Sequence, residues 1–182
     1  MYTGEFAHQA DAFDTPVDID ENYYLVEGGL AYTVGKKWLD TLTVKASYEV
    51  LEGDGPQTVR GQVIRRSFQT PLGTNHAFQG WADRFLVTPG DGIEDLFFTV
   101  RGGVYGANVM FMYHDYSSNN LDYDYGTEWN LVAEKPIGKN WMLGAKYASY
   151  NADRNALNVA RNTAGGQAFD KDIAWVYAQF KW

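Results

Sequence analysis

The sequence predicts an all-β fold: an antiparallel, up-and-down transmembrane β-barrel of about eight strands. Three observations predict it. Apolar and polar residues alternate along segments of about ten residues. The connections between these segments are short at one end and long at the other, the habit of membrane barrels. Tryptophans gather at the short-connection end, where an amphipathic ring suits a membrane interface.

The clearest segment is "TLTVKASYEV", 41–50. Leu42, Val44, Ala46, Tyr48 and Val50 share one face, and Thr41, Thr43, Lys45, Ser47 and Glu49 share the other. The stretch 124–134 repeats this, with Tyr125, Thr127, Trp129, Leu131 and Ala133 opposing Asp124, Gly126, Glu128, Asn130 and Glu134. Further strands are expected at 3–13, 22–34, 94–102, 107–117, 140–151 and 171–182. Their length suits a tilted strand crossing a bilayer. Tight turns fall at "GKKW", "GGVYG" and "PIGKN"; longer joins fall at 14–21, 52–93, 118–123 and 152–170.

Parity assigns directions. Leu42, Val44, Ala46, Tyr48, Trp129, Leu131, Phe180 and Trp182 should face lipid, and Lys45, Glu49, Glu128 and Lys146 should face inward. A soluble barrel binding a ligand inside is the rival, with the apolar face turned inward. Alternation alone does not separate the two. Trp38, Trp141 and Trp182 lie near the short turns, and the alternating ending "WVYAQFKW" resembles the terminal assembly signal of bacterial outer-membrane barrels. That likeness implies the barrel assembly machinery as a partner.

Composition excludes some classes. A net charge of −8 argues against a nucleic-acid partner, because phosphate binding needs a basic face. Without cysteine there is no disulfide framework and no thiolate metal site. No apolar run reaches the length of a membrane helix, and "MYTGEFAHQAD" has neither a basic nor an apolar signal region. The chain therefore reads as cytosolic, as a mature form or as a fragment.

Catalysis is not expected. His76 and Asp83 are seven residues apart, with Thr70 and Thr74 the nearest hydroxyls and no nucleophile motif around them. No cofactor is implied. Asp54, Asp83, Asp91, Glu94 and Asp95 carry oxygens of the kind calcium takes. Acidic surface loops are more often simply solvated, so no metal site is assigned.

Four blocks carry a family resemblance: "EFAHQADAFDTPVDIDENYYL" (5–25), "YEVLEGDG" (48–55), "FQTPLGTNHAFQGWADRFLVTPGDGIEDLFFTV" (68–100) and "YHDYSSNNLDYDYGTEWNLVAEKPIGKNW" (113–141). Together they resemble the alginate export family of outer-membrane barrels. Members form larger barrels from longer chains, so the likeness is to a C-terminal portion. "PQTVRGQVIRRS" (56–67) looks like an insertion. The resemblance implies passage of an anionic polysaccharide or other solute in a longer parent chain, with outer-membrane lipid and lipopolysaccharide as neighbours.

Candidate path and mouth residues follow from charge. Arg60, Arg65, Arg66 and Arg84 lie in the long loop, and Lys45, Arg101 and Lys146 on polar strand faces. The same loop, 52–93, is expected outside the cell. Thr74 is a candidate N-cap for a short helix over 75–86, which would align Phe78, Trp81 and Phe85 as a constriction. Eight strands closed alone leave an interior filled by side chains. A small closed barrel with a structural or adhesive role, and no pore, is therefore the other alternative.

Overall fold

The structure is a computed structural model describing residues 1–14, 16–70, 79–163 and 165–182. The elements in chain order are β1 (Tyr2–Ala10), β2 (Asp20–Lys36), β3 (Leu39–Leu51), β4 (Gln57–Val59), β5 (Gln62–Ile64), β6 (Ile93–Val104), β7 (Ala107–Ser117), β8 (Asp124–Ile137), β9 (Trp141–Ala152), α1 (Ala156–Ala160) and β10 (Lys171–Phe180). Eight of the strands form one antiparallel meander, in the order β1-β2-β3-β6-β7-β8-β9-β10. The all-β, up-and-down expectation holds.

Turn chemistry places the tight end. Val104 pairs with Ala107, leaving Tyr105 and Gly106 as a two-residue loop with φ of 49° and 74°. Two left-handed residues match the twist of the flanking strands. Gly35 and Gly138 supply positive φ at the other two short turns. β10 ends at this same end, and β1 starts on that side of the sheet, with Tyr2 opposite Gly28 of β2.

The sheet is open. β1 pairs only with β2, and β10 only with β9, among the described residues. The eight strands do not close on one another, so the small closed barrel is not what forms here.

Polarity is inverted relative to a water-soluble sheet. One register row runs Leu30, Val44, Val100, Phe111, Leu131, Tyr147 across neighbouring strands. Its first five members are all exposed; Leu131 is 41% exposed. A row on the opposite face runs Glu27, Ser47, Phe97, His114, Glu128, Tyr150, Lys171. There, Ser47, His114, Glu128 and Tyr150 are buried, and Glu128 is 0% exposed. Exposure agrees with parity at Val44, Ala46, Tyr48, Leu131, Phe180 and Trp182, which are exposed, and at Glu49 and Glu128, which are buried; it does not separate Leu42 and Trp129 from Lys45 and Lys146, all half-buried.

The core is small and lies on the polar face at the long-loop end. It joins Trp81, Ala82 and Phe85 from the loop to Ile93, Tyr116, Ala148 and Tyr150 from the strands, and to Tyr125, which a register shift opposite Tyr116 and Ser117 takes off the apolar face that alternation gave it.

One local expectation is corrected, and two of the connections carry structure of their own. Residues 79–86 form turns, not helix, because Gln79, Gly80 and Asp83 sit at positive φ, which an α-helix excludes. The capping Thr74 and Phe78 lie outside the described residues. The segment read as an insertion contains the β4–β5 hairpin, turned by Arg60 and Gly61 at φ 52° and 78°. The join 152–170 carries α1, capped by Asn155, whose side chain accepts from the Asn158 N–H.

Candidate functional site: a loop docked on the polar face

The loop between β5 and β6 returns across the sheet and is held there by carboxylates on its strands. Glu128 Oε1 accepts from the backbone N–H groups of Trp81 at 2.6 Å and Ala82 at 2.9 Å. The Gln79 amide donates to Glu49 Oε2 at 2.9 Å. From β10, Lys171 donates to the Ala82 carbonyl at 2.6 Å. These bonds satisfy loop backbone that secondary structure leaves unpaired.

Gly80 makes the approach feasible. It sits at φ +82°, and a Cβ there would meet Tyr116 Oη at 2.5 Å and Glu128 Cδ at 2.6 Å. Two of the three loop aromatics, Trp81 and Phe85, pack against the sheet without forming a helix. Phe85 packs on Tyr116, Tyr125 and Tyr150, with ring centroids at 4.6, 5.6 and 5.9 Å. Trp81 is buried beneath Lys146, whose Nζ lies 4.6 Å from its ring centroid.

The candidate basic residues do not gather. Lys45 pairs with Glu27 at 2.8 Å. Lys146 lies over the Trp81 and Trp175 rings. Arg84 donates to the Gly165 and Asp170 carbonyls, and burial pushes its guanidinium down from its usual value. Arg65 lies 3.5 Å from Asp91, which also takes Arg161 at 2.7 Å. Arg60 and Arg66 are exposed at the long-loop end, and Arg101 is exposed toward the short turns. Arg101 borders a shallow groove with Asn108 and Glu134.

Three of the acidic residues considered for calcium are engaged by other side chains. Asp91 also accepts from Tyr123, Glu94 takes Tyr48 and Asn119, and Asp95 faces His114. Among the described residues no group of three His, Asp or Glu is placed to hold a metal.

One arrangement went unread in the sequence. His114 Nδ1 lies 3.1 and 2.8 Å from the two Asp95 oxygens, and the imidazole stacks with the Phe97 and Tyr116 rings. Both partners are buried. Polar parity on two strands joined by a tight turn was the available signal, since register then sets them diagonally across the pair. Tyr23, Glu49, Trp81, Asp95, His114 and Glu128 come from all four blocks quoted above, and they meet around one recess and its rim.

No family model matches this chain, and the curated proteins and solved structures offer no match to it either.

Proposed function

We propose that this chain is a section of the wall of a transmembrane β-barrel in the bacterial outer membrane, with the docked loop narrowing a solute path. The inversion of polarity carries the proposal. Leu30, Val44, Val100, Phe111 and Leu131 form a band facing outward, while Glu49, Asp95, His114 and Glu128 are buried on the other face. A soluble ligand-binding barrel would turn these faces the other way, because burial of apolar surface drives folding in water. In hydrocarbon the same pattern is the stable one.

The free edges of β1 and β10 support a larger barrel. An unpaired edge has no hydrogen-bond partner in lipid, so closure requires further strands. Since β1 runs away from the short-turn side and β10 runs toward it, an even number of added strands completes the circle. The likeness to the alginate export family suggests the solute class, an anionic polysaccharide or other solute. Lipid, lipopolysaccharide and the barrel assembly machinery are then its partners.

The test is refolding in water and in detergent micelles, read by circular dichroism and by heat-modifiable migration in gels. Sheet structure should require micelles. A monomer that folds fully in plain buffer would overturn the proposal. In planar bilayers, residues 1–182 alone should give no stable conductance.

A further inference from the structure

Between the docked loop and the wall lies a recess of about 250 Å³. Tyr23, Trp81 and Phe97 give it aromatic surface, Glu49 and Gln79 give polar groups, and His114 forms part of its lining. We propose that this recess binds one ring of a neutral sugar; the inference rests on the barrel reading above, which makes this face the solute path.

His114 points to a ligand. It is 2% exposed, Asp95 occupies its Nδ1, and its Nε2 has no hydrogen-bond partner among the described residues. A buried polar atom left unpaired costs about 1–3 kcal/mol, and such atoms usually have a partner. Phe97 and Tyr116 stack with the imidazole at 5.0 and 5.3 Å and hold its plane. The partner must come to it.

The surroundings select the partner's chemistry. Glu5, Glu49 and Asp95 all border the recess, so an anion would meet like charge. A hydroxyl group avoids that repulsion. It donates to a bare Nε2 or accepts from a protonated one, and it also donates to a carboxylate. The C–H face of a pyranose packs against flat aromatic surface, which the three rings supply. The volume admits one ring and not a folded chain. Lys45, Lys146, Arg65 and Arg84, the bases that would draw a uronate, are engaged by Glu27, by indole rings, by Asp91 and by loop carbonyls.

The experiment uses residues 1–182 refolded in micelles and follows the Trp81 indole N–H resonance, assigned by its loss in Trp81→Phe. Maltotriose, cellotriose and mannotriose are titrated separately, and trigalacturonate serves as the anionic probe. At least one neutral trisaccharide should shift the resonance saturably, with trigalacturonate at least tenfold weaker. His114→Phe keeps the stacking and removes both ring nitrogens; it should weaken binding tenfold or more. Glu49→Gln preserves volume and should weaken it several-fold, which covers the case in which His114→Phe does not fold. The inference is overturned if none of the three neutral sugars binds, if trigalacturonate binds as well as they do, or if every folded variant binds like the parent. Failure of the barrel reading shows separately, as folding without micelles.

Discussion

The Trp81 backbone N–H donates to Glu128 Oε1 at 2.6 Å, across a gap of 47 residues in sequence. This contact joins the loop to the middle of the sheet, and the same oxygen holds Ala82. Glu128→Ala removes the acceptor from two buried donors. Hydrogen bonds to charged groups contribute about 1.5–3 kcal/mol each. Hydrogen exchange at the Trp81 and Ala82 amides should therefore accelerate at least tenfold, while amides of β2 and β3 keep their protection.

Gly80 tests the same docking from the loop side. A Cβ at this position meets Tyr116 and Glu128, and a non-glycine residue at its φ costs about 1–3 kcal/mol. Gly80→Ala should lift the loop, move tryptophan emission to longer wavelength, and open the 79–86 segment to protease. Unchanged emission and proteolysis would mean that the loop is not held through this approach.

The exposed apolar row makes a prediction about solvent. In a bilayer, Leu131→Arg should cost about 2–4 kcal/mol, read from urea unfolding in lipid vesicles. The same change on a water-facing surface would fall within about 0.5 kcal/mol. The size of the effect therefore reports which solvent Leu131 meets.

Gly144 fixes how the last strand lies on the sheet. A Cβ there would come within 2.3 Å of the Tyr177 ring, whose hydroxyl donates to Glu134. Gly144→Val should push β10 away from β9 and lower the temperature of the heat-modifiable gel shift. Tyr177→Ala in the same chain should restore part of the loss, because it vacates the space.

Strand faces at 41–50 and 124–134 are legible because a period of two is local. Val44 and Leu131 declare their side within five residues. The loop is less so. Trp81 and Phe85 have a spacing that suits a helix, yet Gln79, Gly80 and Asp83 take left-handed φ because wall carboxylates at Glu49 and Glu128 compete for the loop's donors. That competition is between residues far apart in sequence, and no local pattern encodes it. The basic residues illustrate the same limit: Arg84 and Lys146 read as path charges until their carbonyl and indole partners are known.

The two edge strands also govern how the chain behaves in water. β1 and β10 run in opposite directions, so β10 of one copy can add to β1 of the next without breaking the antiparallel alternation. Such a join leaves a fresh edge at each end and does not terminate. In water the exposed apolar band then sticks these ribbons together laterally. Growth by edge addition depends on concentration, so refolding yield should fall as the chain is made more concentrated, and dilution into micelles should rescue it. Inclusion bodies made of this chain would be ordered sheet stacks, not amorphous precipitate.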